Sequence, residues 1–249
     1  MLEFVDRCKA ALDAARPLEM SILLNLRDYY KIGLTWSSNA LEGNTLTITE
    51  TKVILEDGLT VGGHPLWELY EATGHGAAYD HMCSLVRRRR ISVADIREMH
   101  RLFYRQINER YAGVWRDQQV FTTGSDVVLP TPDEIPEEME RLDSWMAEQR
   151  TRFHPVEFAA LLHLKLVLIH PFIDGNGRIS RMAMNLALLQ DGYTPAVIPP
   201  ICRTDYLSAI DRCQRHGDSS LFVNFIAERV AETEKEILRL LNIPIPKSC

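Results

Sequence analysis

The chain has 249 residues, 46% of them apolar and 25% charged, a balance that supports a globular core and excludes a disordered, collagenous or coiled-coil chain. Its net charge of -6 argues against a protein whose main work is coating nucleic acid. Five cysteines, Cys8, Cys83, Cys202, Cys213 and Cys249, show no CxxC and no close Cys/His pairing, which fits free thiols in a reducing compartment. Met1 to Arg16 carries Glu3, Asp6, Arg7, Lys9 and Asp13, so the opening does not read as a signal peptide. Phe158 to Phe172 holds His163, Lys165 and His170 and is too short to cross a bilayer. A cytoplasmic protein is expected, with neither membrane nor nucleic acid as its partner.

Apolar residues at three- and four-residue spacing predict helices over Leu2 to Ala15 and Met20 to Leu34. Thr47-Ile48-Thr49-Glu50 has the form of a capping box and opens a short helix that stops at Gly58. Leu66 to Val86 reads as a helix despite Gly74 and Gly76, and Ser92-Val93-Ala94-Asp95 starts the next, to about Ile107. Between Gly113 and Pro130 the period changes. β-formers Gln119 to Thr123 and Val127 to Leu129 flank the turn cluster Gly124-Ser125-Asp126 and predict a small surface hairpin. Thr131-Pro132-Asp133-Glu134 caps a helix through about Arg150, with Pro132 in the tolerated first position. His154-Pro155 opens a helix from Val156 to Ile169 that is apolar nearly all round, as a central buried helix must be. Helices follow at Gly177 to Gln190, Thr204 to Arg215 and Ser219 to Leu241. The expected class is therefore all-α, a helical bundle around a central buried helix with a small β-hairpin on its surface.

The chemistry concentrates in His170-Pro171-Phe172-Ile173-Asp174-Gly175-Asn176-Gly177-Arg178-Ile179-Ser180-Arg181. Gly-Asn-Gly before a helix N-terminus lets a backbone with free N–H groups approach an anion closely. Arg178 and Arg181, three apart, can both bind phosphate oxygens with paired charge-assisted bonds. Asp174 is a hard oxygen ligand suited to Mg²⁺ beside phosphates. His170 can take a proton from an attacking hydroxyl. A lone Gly-Asn-Gly would be no more than a helix–loop–helix turn, but the whole string describes a phosphoryl or nucleotidyl transfer site.

That string matches the motif His-x-Phe-x-Asp/Glu-Gly-Asn-Gly-Arg-x-x-Arg, and the chain resembles the Fic-domain family over roughly Ser38 to Ala231, with His154 to Leu161 and Gly192-Tyr193 shared with its animal endoplasmic-reticulum branch. The resemblance implies a Fic fold in which the N-terminal helices (residues 1–60) and the catalytic core (61–249) form one unit. It implies ATP as substrate and Mg²⁺ as cofactor. A Ser, Thr or Tyr hydroxyl of a target protein would attack the α-phosphate, with His170 as base. Gly177, where the kinase branch carries Lys, favours AMP transfer over transfer of the terminal phosphate. Implied ATP contacts are Thr122, Thr123 and Gly124 in the hairpin, which corresponds to the family's target-binding flap. Asp174 and Gly175, Asn176, Gly177, Arg178, Ile179, Ser180 and Arg181 follow, then Tyr206 and Gln214, the last standing where the animal branch has Asn. A homodimer and self-modification are left open.

Ser38-Asn39-Ala40-Leu41-Glu42-Gly43-Asn44 matches the family's second signature, Ser/Thr-x-x-x-Glu-Gly/Asn. By itself a Ser and a Glu four apart on a helix are usually a solvated face. The resemblance implies instead that Glu42 pairs with Arg181 and competes with the γ-phosphate, supported by Ser38 and Gly43, so that the chain is auto-inhibited. The same carboxylate could orient a water and hydrolyse AMP from a modified target. A non-catalytic nucleotide-binding regulator is the alternative of another class, though binding alone needs neither base nor metal ligand. Arg87-Arg88-Arg89-Arg90 reads as a solvated basic linker before an acidic-target dock, and His64, His75, His81 and His100 as structural or surface residues.

Overall fold

The computed structural model describes residues 1–88, 90–121 and 128–247. Ten α-helices lie among them: α1 (Leu2–Ala14), α2 (Met20–Ala40), α3 (Ile48–Lys52), α4 (Leu66–Leu85), α5 (Val93–Tyr104), α6 (Ile135–Gln149), α7 (Pro155–Ile169), α8 (Asn176–Gln190), α9 (Arg203–His216) and α10 (Ser220–Leu240). The predicted caps form. The Thr47 hydroxyl accepts from the Glu50 N–H while Glu50 returns to the Thr47 N–H, and Ser92 and Asp95 do the same at α5. His154 caps α7 by accepting from the Val156 N–H at 3.2 Å. Helix α3 passes into a π-helical turn, Val53–Asp57, before Gly58 ends it in the left-handed region.

Helix α7 is the central helix, with Val156, Phe158, Ala159, Ala160, Leu162, Leu164, Leu166 and Ile169 all buried. Each large apolar side chain removed from water there contributes about 1.5–3 kcal/mol. It packs along α8, whose residues from Ile179 to Leu188 are likewise buried. Helices α2, α4 and α5 cover the other side of α8, while α1 lies on α10. The two glycines inside α4 have a packing role. A Cβ on Gly74 would stand 2.1 Å from the Phe103 carbonyl oxygen, so the α4–α5 contact needs a residue without one. The α7 C-terminus and the α8 N-terminus thus come from the most tightly held pair of helices, joined only by residues 170–175.

Of the expected hairpin, only the two ends fall among the described residues. No strand occurs among the described residues; Gln119–Phe121 and Val128–Leu129 lie outside any ladder, and 122–127 fall outside the described residues. The base of the segment is held by side-chain bonds. The buried Arg116 guanidinium takes the carbonyls of Gln118 and Pro130. The Gln119 side chain reaches the Leu129 carbonyl at 3.4 Å, and Pro130 has no N–H to give a ladder. Among the described residues no helix is long and apolar enough to cross a membrane. Of the basic run, Arg88 and Arg90 reach Asp95 and Asp143 at 3.5 and 2.8 Å, and Arg89 lies outside the described residues.

Candidate functional site

The turn between α7 and α8 is fixed by its own side chains and backbone. His170 ends α7 in the left-handed conformation, φ 51°, a cost of about 1–2 kcal/mol for a residue other than glycine. Asn176 clasps the loop from both sides, its Oδ1 accepting from the Phe172 N–H at 2.9 Å and its Nδ2 donating to the Phe172 carbonyl at 2.8 Å. Asp174 Oδ1 accepts from the Gly175 N–H at 2.6 Å, while its side chain stays 55% exposed. His100 supports the loop from α5. Its Nδ1 accepts from the Gly113 N–H at 2.9 Å, so Nε2 carries the proton and donates to the Asp174 carbonyl at 3.1 Å. The ring stacks on Phe172, centroids 3.7 Å apart, and burial holds its pKa down at about 3.

His170 Nδ1 lies 3.3 Å from the Val167 carbonyl. A carbonyl only accepts, so Nδ1 bears the proton and Nε2 is left with its lone pair. Burial pushes the imidazole below its ordinary value, against the Val167 bond, and Arg116 adds to the push. The side chain is therefore neutral at pH 7, the form that accepts a proton.

The two arginines are engaged by carboxylates from other parts of the fold, one on α4 and one in the turn after α2. Arg178 bonds Glu71 of α4, and its other nitrogen sits 3.3 Å from Asp174. Glu71 also accepts from Asn44 Nδ2 at 2.9 Å, and burial raises its carboxyl above the usual range despite both partners. Arg181 is enclosed more completely, its side chain 5% exposed. Nε donates to Ser38 Oγ at 2.9 Å, and Nη2 to the Ser38 carbonyl at 2.9 Å and to Glu42 Oε1 at 2.8 Å. Nη1 donates to the Tyr206 hydroxyl at 3.1 Å. Burial works to raise the Glu42 carboxyl, but Arg181, Arg178 and Arg203 outweigh it and hold it below its ordinary value. Gly177 allows the approach, because a Cβ there would stand 2.3 Å from Glu42 Oε1.

These groups face one cavity of about 720 Å³, lined by Glu42, His170, Asp174, Gly177, Arg181 and Tyr206, with Arg203, Leu207, Ile210, Asp211 and Gln214 along its far wall and Val120 and Phe121 at its rim. Two other clefts are as large, one of about 770 Å³ between α2 and α10 and an apolar one of about 940 Å³ beside the α1–α2 turn. Neither holds a base beside a helix N-terminus, so volume alone does not select the site. Of the residues expected from sequence, the structure gathers Ser38, Glu42, His170, Asp174 to Arg178, Arg181, Tyr206 and Gln214. Ile179 is buried in the core, and Ser180 Oγ donates to the Asn176 carbonyl at 2.7 Å within α8, so neither faces the cavity. Gly43 lies beside Glu42 at φ 99°, and Thr122, Thr123 and Gly124 lie outside the described residues. Sequence reasoning missed Glu71, Arg116 and His163, and it read His100 as a structural or surface residue without its place under the loop. For Glu71, His100 and His163 the available signal was a polar residue on a helix, which must find a partner if buried; Arg116 lies outside any helix.

A neutral imidazole, a glycine-rich turn opening a helix and two arginines on its first turns define an anion-binding helical domain. A model of the Fic/DOC family matches residues 90–188. The protein named Protein adenylyltransferase Fic from Drosophila willistoni is 36% identical over 234 residues, 93% of this chain and 46% of that protein. The protein of the same name from Nematostella vectensis is 37% identical over 80% of this chain and 46% of its own length. Among solved structures, Fic-1 (aa134–508) from C. elegans superposes with a TM-score of 0.86 at 31% identity, covering 97% of this chain and 72% of that one. A Fic domain containing signaling protein from Bacteroides thetaiotaomicron gives 0.87 at 27% identity, covering 97% and 99%. The chain belongs to the Fic/DOC family, and it spans somewhat under half the length of the curated relatives it matches.

Proposed function

We propose that this chain is a protein adenylyltransferase that moves AMP from ATP to a side-chain hydroxyl of a target protein, and that Glu42 holds it silent. The observation that carries the reading is the Glu42–Arg181 pair inside the cavity that also holds His170. In the reaction the target oxygen bonds to the α-phosphorus as the bond to the bridging oxygen breaks. Diphosphate leaves, and the hydroxyl proton passes to His170 Nε2. The free N–H groups at the start of α8 and Arg178 would take the phosphate charge, and Arg181 the terminal phosphate once Glu42 gives way. Asp174 suits Mg²⁺, since its largely exposed carboxylate faces the cavity and hard cations of this size bind through one or two carboxylates plus phosphates. Such an ion would neutralise charge on the leaving diphosphate.

Four of the five N–H donors of Arg181 are already used by Ser38, Glu42 and Tyr206, so a phosphate that is to take a pair of them must displace an acceptor. Phe121 and Val128, 89% and 91% exposed at the two ends of the 122–127 segment, offer apolar contact for an extended acceptor chain, in the manner of the family's flap. Leu207 and Ile210 supply apolar wall for a purine, with Gln214 as its polar contact.

The test uses α-labelled ATP with Mg²⁺ on the unaltered chain, Glu42→Gly, and Glu42→Gly with His170→Ala. Label on protein in the Glu42→Gly sample alone is expected. Equal labelling with and without His170 refutes the base. No label in any sample, with cell lysate and the other nucleoside triphosphates added, refutes the transferase and favours the nucleotide-binding regulator. Removal of AMP from a modified target that stops on mutating Glu42 would add the reverse, hydrolytic activity.

A further inference from the structure

Among the described residues Arg116 is the largest fully buried side chain, 2% exposed, and no carboxylate among them bonds it. A cation in that position is costly unless its donors find partners, and here each of its three nitrogens donates to a backbone carbonyl. Nε donates to the carbonyl of His170 at 2.8 Å, Nη1 to that of Gln118 at 3.0 Å, and Nη2 to that of Pro130. The Arg116 N–H donates to the Pro171 carbonyl at 2.9 Å. One residue therefore grips both carbonyls of the His170-Pro171 step and one carbonyl from each arm of the 118–130 segment. The bond to the His170 carbonyl matters because His170 is held at φ 51°, a conformation that persists only where its surroundings over-determine it. Its N–H is fixed by the Leu166 carbonyl of α7, and Arg116 fixes the other side.

We propose that Arg116 is a positioning residue that locks the two arms of the acceptor-binding segment to the backbone of His170, so that acceptor docking and base alignment are one mechanical unit. The guanidinium suits this because its flat fork fixes donors on three nitrogens, whereas an ammonium carries its three on one freely turning nitrogen. Acceptor pressing on the arms strains the same four bonds that hold the imidazole in place. A shift in the loop likewise loosens the platform on which the acceptor lies. The proposal rests on the reading of His170 as base and of the segment as acceptor platform.

Amide hydrogen exchange on the full chain tests it without any turnover. In Arg116→Gln the amides of Gln118 to Phe121, Val128 and Leu129 should exchange faster together with those of His170 and Phe172. The increase should be about tenfold or more, as loss of a charge-assisted bond implies. Met182 to Leu188 in α8 should keep their protection, and a fluorescent ATP analogue should bind with unchanged affinity in the Glu42→Gly background. Arg116→Lys, which keeps a buried cation but not the fork, should show the same joint pattern at smaller size and serves where the Gln variant does not fold. Faster exchange in the arms alone, acceleration spreading through α8, or a fall in nucleotide affinity overturns the coupling. A chain that never transfers AMP overturns the transferase reading and leaves the exchange result standing.

Discussion

Replacing Tyr206 by Phe removes one oxygen and keeps the ring, which makes it a clean probe of the site's buried polar core. The Tyr206 hydroxyl accepts from Arg181 Nη1 at 3.1 Å and lies 2.8 Å from His163 Nε2. Since an arginine can only donate, the tyrosine proton goes to His163 Nε2 and the histidine proton sits on Nδ1. His163 Nδ1 already has no partner among the described residues, and burial holds the ring neutral, well below its ordinary pKa. In Tyr206→Phe the imidazole loses its last bond and Arg181 one of four. The ring contacts with Phe222 and Phe225, centroids 6.0 and 6.1 Å away, remain, so no cavity opens. An orphaned buried group costs about 1–3 kcal/mol, and a bond to a charged donor about 1.5–3. The expected loss is about 3–5 kcal/mol, a large share of the roughly 5–15 kcal/mol of an ordinary domain, and a melting temperature lower by roughly 6–20 °C. Urea unfolding measures it, with the midpoint shifting at constant slope. The same substitution in a His163→Leu background should cost about 1–3 kcal/mol less, because no imidazole is left to orphan. Equal costs in the two backgrounds would refute the hydrogen-bonded chain from His163 to Arg181.

Glu234, fully buried in α10 with neither oxygen bonded among the described residues, has its pKa pushed up to about 8 by burial, with Asp6 and Asp13 adding and Lys9 opposing. The unfolded chain loses this proton near the usual carboxylate value and the folded chain keeps it. Stability is thus full at acid pH and falls as pH rises through about 8, by about 3–5 kcal/mol in all. Glu234→Gln should remove that fall, and urea midpoints that drop in parallel for both proteins between pH 5 and pH 9 (an interval of about 4 units chosen to span the transition) would contradict it. Gly177→Ala places a methyl 2.3 Å from Glu42 Oε1 and should drive that carboxylate off Arg181; a crystal structure of the variant with the pair intact at 2.8 Å would disprove this.

The turn from His170 to Arg181 was legible because its chemistry is local: base, cradle and both arginines lie within one short stretch, and the buried helix before it announces itself by being apolar all round. The caps at Thr47, Ser92 and His154 were legible for the same reason, each closing within three residues. What escaped was long-range. Glu71 meets Arg178 from 107 residues away, His100 meets Asp174 from 74, Arg116 meets His170 from 54 and His163 meets Tyr206 from 43. No periodicity can pair residues across such distances. Glu42 is the intermediate case, since only proximity to Arg181 separates it from a solvated helix face.

The turn that ends α2 takes the Ser37, Asn39 and Ala40 carbonyls with its own N–H groups, and arginines from two other helices take those of Ser38 and Leu41. Arg181 of α8 takes the Ser38 carbonyl at 2.9 Å and Arg203 of α9 takes the Leu41 carbonyl at 2.8 Å. Neither bond involves the Glu42 side chain. The latch and the hinge plate are therefore separate parts: deleting the carboxylate frees one N–H of Arg181 and leaves α2 bolted down. An activator that instead lifts α2 away must strip two guanidinium groups of backbone partners. Removing the carboxylate and lifting α2 would thus free Arg181 from different starting costs.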